Sequence, residues 1–359
     1  MSDVLPRWEI LDSREKRSRD LLPFLTFPVT KSCNFRCGYC GEGGELTASR
    51  QRAWDAAELL SFAKAAKARG VTKLRVTGGE PFMHPQIDDI LRGLADLDVY
   101  VHVNTNGSLV SRHVETLEDL GPNFHFAVSL DTLDAQAAQT MSGTRARSPL
   151  PDILCGTDLL RGLGLLLRVN MVVTTINAHE IPGIIDFCRA TGCGLKLLDV
   201  VSVPLPFGVR RDLHVSLERV EAELARASAA IVHHQYARSF GTPCRIYDVD
   251  GVPVTVKSTW NGSRYDTSGI CSGCPYFPCH EGLYDIFALP DHRVIGCRWS
   301  ETSVAGQPVP EGDAATFVAR LEDLAAVFQA ADHVARQSNN AMPPRPAFVL
   351  RSTAERNAP

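Results

Sequence analysis

Short apolar runs alternate with longer amphipathic segments through most of the first 200 residues. The apolar runs have the length and composition of buried strands, at 25–30, 73–77, 99–103, 124–130, 165–173 and 195–201. The segments between them carry apolar residues at helical spacing, most clearly at 53–69, 88–97 and 181–190. This alternation is typical of βαβ units and a parallel sheet. Six units fit, fewer than the eight of a closed barrel, so the pattern predicts an α/β fold with a partial (β/α)6 TIM-type barrel.

The pattern changes in the second half of the chain. We predict an amphipathic helix at 217–232, after which glycine, proline and aromatic residues with hairpin-like stretches replace the alternation. The expected division of the chain is an N-terminal arm at 1–20, a barrel at 21–235, a small C-terminal domain at 236–338 and an irregular tail at 339–359.

Composition and charge narrow the class of protein. With 359 residues, 44% of them hydrophobic, the chain buries a sizeable core. A net charge of −4 is not the strongly basic balance that is typical of nucleic-acid-binding proteins. No stretch approaches the roughly 18 apolar residues that cross a bilayer, and the charged N-terminus lacks the apolar segment of a signal peptide. We therefore expect a cytoplasmic protein without nucleic-acid or membrane partners, in a compartment that keeps thiols reduced.

Clustered cysteines point to iron rather than to disulfides. Among 11 cysteines, Cys33, Cys37 and Cys40 form a CxxxCxxC pattern directly after a predicted strand. Three thiols hold three irons of a [4Fe–4S] cluster and leave the fourth iron open for a reacting molecule. A structural zinc site is the alternative, although zinc normally takes four ligands, and a disulfide framework is unusual in the cytoplasm.

The residues around these cysteines resemble the signature of the radical S-adenosylmethionine (SAM) superfamily. The segment CNFRCGYC includes Tyr39 before the last cysteine, and the segment 78–81 resembles the GGEP segment of that family. Glycines at such a turn let the backbone approach a ligand closely, and Glu80 is an acceptor for a cationic amine. The resemblance implies an enzyme that cleaves SAM to methionine and a 5′-deoxyadenosyl radical, which abstracts a hydrogen atom from the substrate.

The order of four further segments is similar to the MoaA family of GTP 3′,8-cyclases. These segments are 73–81, 104–107, 128–133 and 169–173. The likeness implies SAM contacts from Tyr39, Gly78, Gly79, Glu80, Asn106 and Ser129. It also implies a substrate side formed by Lys73, Thr105 and Arg168. Each has an ordinary structural alternative, for example as a turn residue at Thr105 and Asn106 or as a solvated charge at Lys73.

A second group of cysteines lies near the C-terminal end of the chain. It consists of Cys271, Cys274, Cys279 and Cys297. A CxxC pair with further cysteines is a metal pattern for zinc or for iron and sulfur. The strand–turn–strand pattern that follows resembles the hairpin of twitch or SPASM domains. That resemblance implies an auxiliary iron–sulfur domain with a second [4Fe–4S] cluster, and it leaves open whether Cys279 is a ligand.

Three positions depart from the cyclase pattern. The family has an arginine on its first strand and arginines after the auxiliary CxxC, where this chain has Thr26 and Asp285. Its C-terminal double glycine is replaced by an ending in Asn357-Ala358-Pro359. A triphosphate needs several cationic or amide donors, and an aspartate in that pocket repels it. The leading hypothesis is thus a radical SAM enzyme, an oxidoreductase or lyase, acting on a small polar metabolite such as a nucleoside, sugar or amino-acid derivative.

Three alternatives stay open from the sequence. They are a peptide-modifying maturase of the SPASM type, a GTP 3′,8-cyclase of molybdopterin synthesis, and a metal-binding scaffold without catalysis. The expected partners are a small-molecule substrate and an electron donor such as flavodoxin or ferredoxin. The residues do not separate dehydrogenation, rearrangement and bond formation after the hydrogen is removed.

Overall fold

A computed structural model describes residues 24–40, 53–200, 212–234, 244–257, 285–296 and 313–338 of the chain. The predicted N-terminal arm, the tail from residue 339 and most of the predicted C-terminal domain lie outside these ranges. All four cysteines of the second group are among the residues outside, namely Cys271, Cys274, Cys279 and Cys297.

Strands β1 to β11 form one sheet within the described residues. The first six are β1 Leu25–Thr30, β2 Lys73–Gly78, β3 Tyr100–Thr105, β4 Phe124–Ser129, β5 Leu166–Val173 and β6 Gly194–Asp199. The later ones are β7 Ala230–His234, β8 Cys244–Val249, β9 Val252–Lys257, β10 Ile286–Ala288 and β11 Val294–Ile295.

Helices α1 to α8 connect and cover these strands. They are α1 Ala56–Ala68, α2 Ile87–Ala95, α3 Val114–Glu118, α4 Ala135–Ser142, α5 Leu150–Gly162, α6 Ile181–Thr191, α7 Leu217–Ala227 and α8 Ala314–Ser338. Their ends follow local chemistry. The Asp55 carboxylate accepts hydrogen bonds from the first backbone N–H groups of α1, and glycines in the left-handed conformation, Gly143 and Gly192, end α4 and α6.

The sheet is mostly parallel and does not close. Its order is β11-β10-β1-β2-β3-β4-β5-β6-β9-β8-β7, with β1 to β6 parallel to their neighbours. The late strand β10 runs parallel beside β1, and β9 runs parallel beside β6. Parallel strands joined by helices confirm the predicted α/β class of a partial TIM-type barrel.

One predicted element is wrong in its second half. The helix expected over 217–232 ends at Ala227, Ser228 is extended, and β7 begins at Ala230. Strand β7 then pairs antiparallel with β8, from Ala230 opposite Asp248 onward. The β-branched pair Ile231-Val232 suits this pleated pairing better than a helix. Because β7 and β8 flank the expected boundary at 235/236, the sheet continues across it, and the division into domains stays a prediction.

The two faces of the central sheet differ in polarity. Apolar side chains such as Phe27, Val76, Val103 and Met171 join the buried core, which α1, α2, α5 and α6 also line. We name the opposite side the polar face. Across β1 to β6 it carries Thr26, Lys73, Arg75, His102, Asn104, His125, Ser129, Arg168, Asn170 and Lys196. Among the described helices, none combines the length and apolar character needed to cross a membrane.

Candidate active site at the carboxyl ends of the strands

The predicted cysteine loop follows β1 directly. Cys33 and Cys40 are exposed and Cys37 is partly buried, and none of the three is in a disulfide. A turn bond from the Cys40 N–H to the Cys37 carbonyl, 3.0 Å, closes the second half of the loop. Burial raises the pKa of the Cys37 thiol to about 12, with Asp131 and Cys40 as further causes. Iron binding therefore has to displace this proton, as metal binding to thiols generally does.

The three thiols of the loop are one fewer than the four ligands that a structural zinc ion normally takes. Among the described residues, no three histidine, cysteine or acidic side chains converge on a position for one metal ion. In a [4Fe–4S] cube each cysteine binds a different iron, so the ligands stand farther apart than around one ion. A set of three thiolates at Cys33, Cys37 and Cys40 fits that group.

The glycines of the GGEP segment receive the cysteine loop itself. The Gly79 N–H donates to the Thr30 carbonyl at 2.7 Å, and the Glu80 N–H donates to the Ser32 carbonyl at 2.8 Å. A Cβ on Gly79 would stand 2.5 Å from the Ser32 oxygen, and Gly78 has a φ of +146°. We predicted close approach of a ligand here. The observed close approach is that of the loop that carries the cysteines.

Glu80 joins the carboxyl ends of β2 and β3. One carboxylate oxygen accepts from the Thr105 hydroxyl at 2.7 Å and from the Phe82 N–H at 3.1 Å, and the other accepts from the Asn106 N–H at 2.6 Å. Burial raises the pKa of Glu80 to about 7, although these hydrogen bonds favour the ionised form. Three of the predicted site residues thus form one network, and a contact of Glu80 with the SAM amine stays a prediction.

A side chain between the cysteines ties their loop to the end of β3. The Asn34 amide donates to the Ser108 hydroxyl at 2.9 Å and accepts from the Asn106 amide at 2.9 Å. Asn106 also accepts from the Ser108 N–H at 3.0 Å. The sequence analysis named Asn106 but missed Asn34 and Ser108. A polar residue directly after Cys33 was the available signal.

Tyr39 connects the loop to the ends of β4 and β5. Its hydroxyl donates to Asp131, whose other carboxylate oxygen accepts from the Val172 N–H at 2.8 Å. The Asn177 amide donates to the Asp131 carbonyl at 2.7 Å. Burial raises the pKa of Asp131 to about 6. Ser129 ends β4 two residues before this carboxylate, so the predicted SAM residues lie along the same edge of the sheet.

The predicted substrate residues lie at different heights on the sheet. Thr105 is at the carboxyl end of β3 beside Glu80, whereas Lys73 begins β2 and is buried at the opposite end of that strand. Arg168 is on the polar face, where a guanidinium N–H lies 3.2 Å from His102. The structure brings Thr105 into the Glu80 network and places Arg168 lower on the polar face.

Cations concentrate around the buried His102. Burial lowers the pKa of His102 well below its usual value, and the charges of Arg168, Arg75 and Lys196 lower it further. Arg75 pairs with the buried Asp285 carboxylate, which also accepts from the Thr26 hydroxyl at 2.7 Å. The sequence analysis missed the cations Arg75 and Lys196, because only the strand register shows that they share a face with Arg168.

The chain is similar to a known family and to named relatives. A family model described as the radical SAM superfamily matches residues 27–188. GTP 3′,8-cyclase from Erythrobacter litoralis (strain HTCC2594) is 30% identical over 277 residues, which cover 74% of this chain and 77% of the relative. GTP 3′,8-cyclase from Sulfurimonas denitrificans (strain ATCC 33889 / DSM 1251) is 28% identical, and the match covers 53% of this chain and 58% of that relative.

Solved structures show the same fold at low identity. The crystal structure of Streptococcus suis SuiB bound to precursor peptide SuiA superposes with a TM-score of 0.59 at 16% identity, covering 88% of this chain and 68% of SuiB. The structure of anSMEcpe with bound AdoMet has a TM-score of 0.54 at 12% identity, covering 89% of this chain and 84% of the other.

Proposed function

Because the chain belongs to the radical SAM superfamily, in the branch that includes the GTP 3′,8-cyclases, we propose that it abstracts hydrogen from a small anionic metabolite. Family membership and the named relatives indicate an enzyme with a [4Fe–4S] cluster and SAM. The chemistry supplied with that cluster is reductive cleavage of SAM to methionine and a 5′-deoxyadenosyl radical, which removes a hydrogen atom from the substrate.

The observation that carries the proposal is how firmly the cysteine loop is fixed. Hydrogen bonds from its backbone, from Asn34 and from Tyr39 join it to the carboxyl ends of β2, β3 and β4. A preorganised loop would hold Cys33, Cys37 and Cys40 in place at the carboxyl ends of the strands before a cluster binds there. The predicted SAM residues, from Gly78 to Ser129, line the same edge.

The charge of the polar face supports an anionic substrate. Among the described residues, Lys73, Arg168 and Lys196 stand on this face together with the Arg75–Asp285 pair. Multiple cationic donors are what phosphate and carboxylate groups require. The relatives are named GTP 3′,8-cyclases, so GTP is the first substrate to assay, ahead of the less anionic metabolites that the sequence analysis favoured.

A second candidate keeps the scaffold but changes the substrate. Asp285 places a buried carboxylate on the polar face and neutralises Arg75, with Thr26 as its hydrogen-bond donor. This arrangement lowers the positive charge available to a triphosphate. It favours a nucleoside, sugar or amino-acid derivative with fewer negative charges.

The auxiliary cluster and the electron donor complete the proposal. We retain a second [4Fe–4S] cluster at Cys271, Cys274 and Cys297, with Cys279 as an open fourth ligand, on the sequence pattern alone. Flavodoxin or ferredoxin is the proposed class of reductant. The peptide-modifying alternative has no support beyond the shared fold with SuiB and anSMEcpe.

Two measurements on the reconstituted protein test the class and the substrate. Wild type is expected to bind about eight irons and to form 5′-deoxyadenosine from SAM with dithionite, and replacing Cys33, Cys37 and Cys40 with alanine is expected to leave about four irons and abolish nucleoside formation. GTP, guanosine and inorganic triphosphate are then compared as accelerators of SAM cleavage. Absence of 5′-deoxyadenosine from wild type would contradict the radical mechanism, and acceleration by guanosine alone would favour the second candidate.

A further inference from the structure

We propose that His102 is a positioning residue, which fixes the guanidinium of Arg168 toward an anionic group of the substrate. The inference rests on the proposed anionic substrate, because His102 acts through Arg168 and does not itself bind the substrate. It adds to the substrate side a residue for which the sequence offered no motif.

The contact spans three strands. His102 lies on β3 and Arg168 on β5, with β4 between them, where Ala127 stands beside Arg168 in the register. A side chain as small as that of alanine leaves room for the arginine to cross β4. One guanidinium N–H group reaches 3.2 Å from His102 Nε2, and Arg168 Nε donates to the Asn170 amide oxygen at 3.1 Å. Two bonds, one at Nε and one at Nη2, therefore restrain the orientation of the guanidinium plane.

The chemistry of the two groups settles which of them donates. A guanidinium has only donors, so His102 Nε2 accepts from Arg168 and the imidazole is neutral with its proton on Nδ1. The Asn104 amide lies 3.0 Å from the same nitrogen, and with Nε2 accepting from Arg168 this amide is turned so that its NH2 group, rather than its oxygen, faces the ring. The positive charges of Arg168, Arg75 and Lys196, together with burial, hold the pKa of His102 well below its usual range. His102 therefore remains an acceptor throughout the physiological pH range.

Fixing Arg168 in advance strengthens anion binding. An arginine side chain has considerable rotamer freedom, and that freedom is lost when a flexible guanidinium binds a ligand. His102 and Asn170 remove much of it before the substrate arrives. A guanidinium already oriented toward the polar face binds a phosphate or carboxylate with a smaller entropy loss.

A double-mutant cycle on the reconstituted full-length protein tests this role. Calorimetric titration with GTP and with inorganic triphosphate is carried out for wild type, His102→Leu, Arg168→Leu and the double variant. We expect about tenfold weaker binding in His102→Leu, the loss expected for one hydrogen bond to a charged group. In the Arg168→Leu background, His102→Leu is expected to have no further effect.

Two additional variants separate positioning from general structural damage. His102→Gln restores an acceptor oxygen near the place of Nε2 and is expected to bind both probes within about twofold of wild type. His125→Leu removes the neighbouring histidine of the polar face, which stacks on Tyr100 with ring centroids 4.5 Å apart, and is expected to leave binding unchanged. SAM cleavage without substrate should be the same in His125→Leu as in wild type.

The outcomes distinguish this inference from the proposed function. If wild type binds the probes and His102→Leu binds them equally well, or if the loss persists in the Arg168→Leu background, the positioning role is overturned and the anionic substrate stands. If wild type cleaves SAM but binds neither GTP nor triphosphate, the anionic substrate and the role of His102 are overturned together, and the radical chemistry stands.

Discussion

Single residues decide where the cysteine loop lies. Gly79 lets the loop backbone pass at hydrogen-bond distance, and Asn34 and Tyr39 hold it from the other side. None of these contacts is visible in the CxxxCxxC spacing itself. The spacing identifies the ligands, whereas their placement depends on neighbours that are distant in sequence.

Replacing Gly79 with alanine is expected to displace the loop. The new Cβ would lie 2.5 Å from the Ser32 carbonyl oxygen and 2.8 Å from that of Lys31, both backbone atoms that do not yield easily. We expect a loss of stability of about 1–3 kcal/mol. We also expect less iron at Cys33, Cys37 and Cys40, measured as iron content per chain after anaerobic reconstitution. Gly183→Ala is the control, because its Cβ meets nothing within 4 Å. Unchanged iron in Gly79→Ala would contradict the close fit.

Removing the Tyr39 hydroxyl is expected to cost stability in a pH-dependent way. Burial has raised the pKa of Asp131 from 3.8 to about 6, so this group stabilises the fold below pH 3.8 and that contribution is lost as the pH rises through 6. The Tyr39 hydrogen bond opposes this by favouring the carboxylate. Tyr39→Phe should therefore cost about 1.5–3 kcal/mol at pH 8 and less at pH 5, measured by denaturant unfolding.

A matched variant in another part of the fold is the control for removing a tyrosine hydroxyl that donates to a carboxylate. Tyr247 donates to Glu221 at 3.1 Å in a different part of the fold. Tyr247→Phe is expected to reduce stability without changing the iron content of the first cluster. An equal cost of Tyr39→Phe at both pH values would show that the hydroxyl does not act through the carboxylate.

At the scale of elements, the sequence predicts the parallel strands and the antiparallel pair of β10 and β11 well, and it misses β7. Strands β1 to β6 are short runs rich in β-branched and other apolar residues, bounded by turn residues and separated by helical patterns, so local sequence is enough to indicate them. The segment 230–234 follows the helical spacing of α7 without interruption, and only its pairing with β8 makes it a strand. Tertiary pairing therefore overrides local periodicity at this point.

The packing of α8 on α1 rests on aromatic contact rather than on charge. Phe317 is fully buried and stacks on Phe62 with ring centroids 4.5 Å apart, whereas the Arg69–Glu322 ion pair between the same helices is exposed. Phe317→Ala is expected to cost about 3–5 kcal/mol, and Glu322→Ala no more than about 1 kcal/mol. Urea unfolding of the two variants measures the difference, and equal costs would contradict this account.

At the scale of the whole molecule, one buried ion pair joins the start of the sheet to a late segment. Asp285 lies just before β10 and contacts Arg75 on β2 and Thr26 on β1. Thr26 and Asp285 are both positions at which the sequence departs from the cyclase pattern. Arg75 could not be predicted from the sequence, because the partner of a buried acid is a property of the strand order.

Asp285→Asn is expected to loosen this junction. The substitution keeps an acceptor for Thr26 but removes the charge opposite Arg75, and breaking a buried ion pair costs about 3–5 kcal/mol. Thr26→Val, which removes only a hydrogen bond, should cost less than half as much. The net charge of the polar face also rises by one, so inorganic triphosphate should bind more tightly to Asp285→Asn in calorimetric titration. Weaker binding would argue against a role of Asp285 in limiting substrate charge.

The position of β10 beside β1 has a consequence for the order of events on the ribosome. Thr26 and Asp285 are 259 residues apart. At a synthesis rate of about 5–20 residues per second, β10 is therefore made roughly 10–50 s after β1, whose outer edge it covers. During that time the nascent chain presents an unpaired strand edge, the feature that most readily recruits other chains. The cysteine loop begins directly after this strand. Completion of the sheet, and with it a settled frame for iron insertion, therefore comes late in translation.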